Sequence, residues 1–182
     1  MQIWWYVARA SGLVAWALLT ATVVWGLLLS TKLFGRKPTP AWLLDLHRFV
    51  GGATVVFTLV HLVAILLDSF VHFDLVSILV PFASNWSPGA VAWGIVAFYL
   101  LAAVEVTSLL RRRMPNRIWR RVHYASFPLF AAATIHGVTA GSDTRTTFAV
   151  MVLASVVLGV GLLTAARIGR AAGAPVSVRT RS

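Results

Sequence analysis

The sequence predicts an all-α integral membrane protein, a bundle of five transmembrane helices with the N-terminus outside and the C-terminus in the cytoplasm. Three observations favour this class. The 182 residues are 59% hydrophobic and only 12% charged. The apolar residues form long blocks rather than amphipathic stripes. The 16 Lys and Arg residues lie mostly between alternate blocks, so topology explains the net charge of +11 better than nucleic-acid binding does.

Five apolar blocks are long enough to span, since a hydrocarbon core of about 30 Å needs about 20 helical residues. They run from about Ala10 to Thr31, Leu43 to Leu67, Ala90 to Leu110, Trp119 to Ala140 and Thr146 to Ala166. The first lacks a basic n-region and a cleavage site, so we interpret it as a retained span. In the long outer connection, Val71–Val80 is expected to form a short helix on the outer surface. Residues 1–168 thus form one transmembrane domain, and 169–182 a cytoplasmic tail that we expect to be disordered.

The basic residues set the orientation, because cytoplasmic connections carry an excess of Lys and Arg. One side holds fourteen of them: Lys32, Arg36, Lys37, Arg48, Arg111, Arg112, Arg113, Arg117, Arg120, Arg121, Arg167, Arg170, Arg179 and Arg181. The other side holds only Arg9 and Arg145. Every connection fits an alternation that leaves the N-terminus outside. A plasma membrane of bacterial type suits the composition.

Four histidines lie inside the second and fourth predicted spans. His47 and His61 are 14 residues apart, which separates them by roughly 21 Å along a helix and by only about 40° around it. His123 and His136 are 13 residues apart, and both spans run from inside to outside. The depths therefore match for His47 with His123 and for His61 with His136. Imidazole is costly in hydrocarbon and indicates function by default.

Each matched pair is able to supply two axial nitrogens to one haem iron. The alternative is four unrelated packing histidines bonded to backbone. On a straight helix His123 and His136 point about 140° apart, and Pro128 between them predicts a distortion that helps to re-aim one ring. With no cysteine in the chain, disulfides, thiolate metal sites and cysteine-attached haem are excluded.

Several neighbours of the histidines have two interpretations. Gly51, Gly52 and Gly137 allow either a porphyrin face or another helix to approach closely. Arg48, Arg117, Arg120 and Arg121 are candidates for haem propionates, Arg48 first among them, although topology alone accounts for arginines there. His72 has no partner at its depth and is interpreted as interfacial, with a redox-linked role as the alternative. Glu105 is expected to pair with Arg111 or Arg112, with a proton path as the alternative.

These residues resemble the ferric reductase-like transmembrane domain, the haem core of ferric reductases, NADPH oxidases and the membrane haem subunit of the periplasmic methionine sulfoxide reductase system. The resemblance covers about Leu43 to Asp143. It rests on the two histidine spacings, on His47-Arg48 followed by Gly51-Gly52, on Trp119-Arg-Arg-Val-His123-Tyr124, on Pro128-Leu-Phe, and on His136-Gly137 leading to Gly141-Ser-Asp143. It implies that His47, His61, His123 and His136 bind two b-type haems.

The resemblance also implies transmembrane electron transfer. The donor is expected to be a cytoplasmic flavoprotein or membrane quinol, and the acceptor to lie outside the cytoplasm. The chain carries no Gly-rich dinucleotide fingerprint, so we expect the electron-transfer subunit of an oxidoreductase rather than an NAD(P)H-oxidising enzyme. Two alternatives stay open: a histidine-liganded metal transporter, and a haem-sensing or structural membrane subunit without net electron flux.

Overall fold

The computed structural model describes residues 3–31, 41–69, 71–141 and 146–172, and every regular element in these ranges is helical. The helices are α1 (Ile3–Thr31), α2 (Ala41–Leu67), α3 (Leu75–Leu79), α4 (Pro88–Leu109), a 3-10 turn (Arg111–Arg113), α5 (Asn116–His123), α6 (Ser126–Ala140) and α7 (Thr147–Ala172). Lys32, Arg36, Lys37, Asp143, Arg145 and residues 173–182 of the predicted tail lie outside the described residues. The remainder of that tail up to Ala172 continues α7.

Four of these helices are individually long and apolar enough to cross a membrane: Ile3–Thr31, Ala41–Leu67, Pro88–Leu109 and Ala149–Gly169. The chain is thus a multi-pass membrane protein, and the predicted all-α membrane bundle is confirmed. The fourth predicted span differs from the other four because it is divided between α5 and α6. Its apolar part, α6, has 15 residues, which cover only about 22 Å.

The division between α5 and α6 has a local cause in Pro128. Proline has no N–H, and its ring clashes with the carbonyl four residues earlier, which here belongs to Tyr124. The helix ends at His123. Two backbone hydrogen bonds between residues three apart carry the chain through the turn. Ala125 N donates to Val122 O (2.8 Å), and Phe127 N donates to Tyr124 O (3.2 Å). Regular helical winding is therefore interrupted between His123 and His136, and the straight-helix angle between them no longer applies.

The bundle is built from two hairpins, α1 against α2 and α4 against α6, with α7 packed on α1. Buried side chains of α1, α4, α6 and α7 form the core between the hairpins: Leu19, Val23, Leu27, Ala97, Leu101, Leu129, Phe130, Ala132 and Val160. Because lipid is as apolar as these side chains, polar contacts add specificity. Trp16 Nε1 donates to Thr134 Oγ1 (3.0 Å) across α1 and α6, and Trp25 Nε1 donates to the Leu43 carbonyl (2.9 Å).

The connection between α2 and α4 contains the short helix α3, within the segment predicted to be helical. The Asp74 carboxylate caps it by accepting from Ser77 N (2.8 Å), and the Ser77 hydroxyl also donates to this carboxylate. These hydrogen bonds, the hydroxyl first, lower the pKa of Asp74 below its ordinary value. The Tyr99 hydroxyl of α4 donates to the Leu79 carbonyl (2.7 Å), which ties the end of α3 to the bundle.

Candidate functional site

The structure brings the four histidines together as two facing pairs. The ring centroids of His47 and His123 are 6.2 Å apart, with the ring planes at 69°. Those of His61 and His136 are 6.3 Å apart, with the planes at 76°. In both pairs one ring comes from α2, while the other comes from α5 or α6. Helix α2 packs closely on α1 and only sparsely on α4, and it does not pack to a comparable extent on α5 or α6. The two rings of each pair therefore face each other across a gap.

Backbone carbonyls orient both rings of the His61–His136 pair. After the predicted topology, we call this the outer pair and the His47–His123 pair the inner pair. Nδ1 of His61 donates to the Ala8 carbonyl (2.7 Å), and Nδ1 of His136 donates to the Ala90 carbonyl (2.8 Å). A carbonyl only accepts, so each Nδ1 carries the proton and each Nε2 keeps its lone pair. This is the arrangement by which proteins fix the tautomer of a metal-binding histidine.

Three glycines on α1 and α4 make room for these rings. A Cβ at Gly12 would lie 3.0 Å from Nδ1 of His61, one at Gly26 would lie 3.2 Å from Cε1 of His47, and one at Gly94 would lie 2.8 Å from Cε1 and Nδ1 of His136. Sequence reasoning missed all three. Gly12 and Gly26 are spaced by 14 residues, as His47 and His61 are, and this shared spacing on an antiparallel neighbour was the available signal.

The inner pair is held differently. Nδ1 of His47 and Nδ1 of His123 are buried without a hydrogen bond, although the Thr22 carbonyl lies near His47 outside ordinary hydrogen-bond geometry. The Trp119 ring stacks on His123 with centroids 4.9 Å apart and planes at 22°. The Arg111 guanidinium lies over the Trp119 ring, 4.3 Å from its centroid. Packing and a cation–π contact thus fix His123 where the outer rings use hydrogen bonds.

A cavity of about 1620 Å³ surrounds the inner pair. It exceeds the roughly 300–1,000 Å³ of most small-molecule pockets. Both inner histidines line it, and its charged lining consists of Arg48, Glu105, Arg111, Arg112, Arg120 and Arg167. The apolar wall comes from α1, α2, α4 and α6. We call this space the inner cavity.

The predicted arginines are distributed differently from expectation. Arg48 and Arg120 line the inner cavity, whereas Arg117 and Arg121 do not. Arg111, Arg112 and Arg167, which were not considered for this role, take their place around the cavity. Arg48 is exposed and forms an ion pair with Asp45 (3.1 Å). Proximity in sequence to a histidine was therefore only a partial guide, because Arg111 and Arg112 reach the cavity from the 3-10 turn and Arg167 reaches it from α7.

The other predicted residues separate into those at the site and those away from it. Gly51 packs against α4, since its Cβ would lie 2.9 Å from Oε1 of Glu105, while Gly52 and Gly137 have nothing within 4 Å. Close helix packing therefore explains Gly51 and not the other two. His72 is exposed in the outer connection, and the described residues place no other histidine ring against it. Glu105 forms neither predicted ion pair, for no arginine among the described residues lies within salt-bridge distance.

Comparison with known proteins adds one result to this geometry. A family model described as "Ferric reductase like transmembrane component" matches residues 11–134. The match includes His47, His61 and His123, and it ends two residues before His136. No curated protein and no solved structure matches the chain.

Proposed function

The chain belongs to the ferric reductase-like transmembrane family, and on that premise we propose that it is a b-type cytochrome with two haems that carries electrons across the membrane. His47 and His123 ligate the inner iron, and His61 and His136 the outer iron. The donor is a cytoplasmic flavoprotein or membrane quinol, and the acceptor lies outside the cytoplasm. The chain is thus the electron-transfer subunit of an oxidoreductase in the plasma membrane.

The ring separations support this proposal most directly. A metal–imidazole bond of about 2.0 Å and about 1.1 Å from ring nitrogen to ring centre give about 6.2 Å between the centroids of two trans axial rings. The two pairs are separated by 6.2 Å and 6.3 Å. Edge-to-face rings in direct contact also lie about 4.5–7 Å apart, so the support comes from the same separation recurring in two pairs on the same helices. Two equal spacings at two depths favour axial ligation over chance packing.

The hydrogen-bonding state of the rings supports the same reading. Bonding of Nδ1 to Ala8 and Ala90 leaves Nε2 of His61 and His136 as the coordinating atom and raises its basicity. At the inner site, Trp119 holds the His123 ring in place of such a bond. A bound haem supplies one-electron chemistry, and its potential depends on ligands, charge and burial. The chain supplies orientation, a dry wall and cations at the inner cavity.

Arginines of the inner cavity are suited to haem propionates. Arg48, Arg111, Arg112, Arg120 and Arg167 all line it, and guanidinium binds carboxylate in a bidentate fashion. Arg48 is the residue that we assigned to this role from the sequence. The exposed arginines around the cavity mouth also suit an acidic redox partner, in competition with anionic lipid headgroups.

We propose five spans with the N-terminus outside, in which α5 and α6 together make the fourth crossing. Because the chain has no cysteine, single cysteines report topology without background. Asn85 lies in the outer connection and Asn116 in the arginine-rich one, and both are exposed. In intact cells an impermeant maleimide should label Asn85→Cys and spare Asn116→Cys. The reverse pattern contradicts the orientation.

A metal transporter is the second candidate, and the geometry disfavours it. A transport site needs several ligands converging on one ion. Within the described ranges, no three His, Cys, Asp or Glu side chains come together as a metal site. A haem-sensing or structural subunit would share the ligands but not the flux. Rapid reduction by a quinol or flavoprotein, followed by reoxidation by an outer acceptor, would distinguish the electron-transferring cytochrome from such a subunit, because a sensor does not turn over.

The deciding experiment is the haem content of the purified protein, measured by pyridine haemochrome and optical spectra. We expect two b-type haems per chain and, from the steep angles between ring planes, strongly anisotropic low-spin ferric EPR signals. His136→Ala should remove the outer haem and keep the inner one, with His72→Ala as the matched histidine control that keeps both. A colourless protein refutes the proposal.

A further inference from the structure

Glu105 is a carboxyl in the wall of the inner cavity that has no partner among the described residues. It lies in the cytoplasmic half of α4, is partly buried, and lines the cavity. No hydrogen bond or ion pair reaches it from any described residue. An acid inside a membrane-spanning helix is costly and is usually paired with a cation or used in function. An acid without a partner beside a large, mostly apolar cavity therefore needs an explanation.

Gly51 leaves room for the Glu105 carboxyl. A Cβ on Gly51 would lie 2.9 Å from Oε1 of Glu105, so any larger residue on α2 would displace the carboxyl. Gly51 follows His47 by four residues, about 6 Å along the helix in the direction of His61. Glu105 therefore lies about one turn from the inner pair, in the direction of the outer pair, and no hydrogen bond or ion pair among the described residues joins it to either inner ring.

The charged groups around the cavity do not neutralise Glu105. From α2, the 3-10 turn, α5 and α7, those that line the cavity are His47, Arg48, Arg111, Arg112, Arg120, His123 and Arg167. Three of the arginines have other partners: Arg48 pairs with Asp45, Arg111 covers Trp119, and Arg167 covers Tyr124. From α1 and α6 the cavity wall presents only uncharged side chains, Thr22, Ser30 and Ser126 being the polar ones.

We propose, on the premise of the function above, that Glu105 takes up a proton when the inner site gains an electron. One electron from the donor converts ferric to ferrous iron at His47 and His123, which removes one positive charge. The Glu105 carboxylate loses that attraction and binds one proton from cytoplasmic water to become a carboxylic acid. When the electron moves on to the outer site, the proton is released. The low dielectric of the bundle makes two such nearby charges respond strongly to each other.

The test is a spectroelectrochemical titration of the inner haem across a range of pH, together with proton uptake measured by an indicator dye in weakly buffered solution. In the native chain, the inner midpoint potential should fall as pH rises, and reduction should consume protons. Glu105→Gln should lose this uptake and most of the pH dependence while keeping both haems. Asp45→Asn is the matched control, because its carboxyl is exposed and ion-paired near the same cavity, and it should keep both properties.

Two results overturn the assignment of Glu105: an inner potential that does not depend on pH in the native chain, or an unchanged pH dependence in Glu105→Gln, which would assign the proton to the propionates. If Glu105→Gln does not assemble, Glu105→Asp replaces it, because the shorter side chain draws the carboxyl back toward α4. This variant should shift the pH range over which the inner midpoint potential changes, and the absence of a shift also overturns the assignment. A native chain that binds no haem refutes the proposed function instead, so the two failures are distinguishable.

Discussion

Gly94 packs against the ring of His136, and its replacement by alanine is expected to displace that ligand. The added Cβ would lie 2.8 Å from Cε1 and Nδ1 of the ring, whereas carbon atoms in contact are about 3.5–4.0 Å apart. The ring or α4 must therefore move by about 0.7 Å. The ring has little freedom to do so, because its Nδ1 donates to the Ala90 carbonyl on the same helix as Gly94.

The energetic balance decides what Gly94→Ala affects. Overpacking costs about 1–3 kcal/mol, while alanine in place of glycine favours a helix by about 1 kcal/mol. The free energy of unfolding should thus fall by only about 0–2 kcal/mol, and the protein should fold. Metal–ligand distances tolerate only about 0.2 Å. A displacement of about 0.7 Å should therefore abolish ligation at the outer site while the bundle persists.

Haem content measured by pyridine haemochrome provides the assay, with EPR to identify the site that is lost. Gly94→Ala should retain the inner haem and lose the outer one. Gly137→Ala is the control, since it lies next to His136 but its Cβ has nothing within 4 Å, and it should retain both haems. If Gly94→Ala binds two haems with unchanged EPR signals, the close approach of α4 to His136 has no role in ligation and the reasoning is wrong.

Two further predictions test the inner ligand and the outer cap. Trp119→Leu should loosen His123 and let carbon monoxide bind the ferrous inner haem, whereas Trp119→Phe and the exposed control Trp93→Leu should not; equal binding in all three contradicts the role of the stack. The pKa of Asp74 is lowered by its bonds from Ser77, so its capping is complete above the unfolded value of about 3.9 and is lost as pH falls through the folded value. Amide-exchange protection at Ser77 should therefore fall in acid and, at neutral pH, in Asp74→Ala; protection that is independent of both would contradict the cap.

Much of the arrangement was predictable because helix geometry converts spacing into position. Segment length and apolarity identified the helices of the four long spans, and counting at 1.5 Å per residue matched His47 with His123 and His61 with His136 in depth. The structure brings those residues together. Pro128 likewise predicted an interruption of the helix, because proline has no N–H to donate to the backbone carbonyl four residues earlier.

The sequence alone identified the long apolar helices, the axial spacing of the histidines and the place where one helix breaks, because these depend on local composition and on a rise that is the same for every residue. The tertiary structure decided which surfaces surround the histidines. Gly12, Gly26 and Gly94 face the rings. Trp119 covers His123 and Arg111 covers Trp119, while Glu105 meets Gly51 instead of an arginine. These contacts depend on how helices rotate and cross, which packing between distant segments sets, and no spacing within a single segment encodes that rotation.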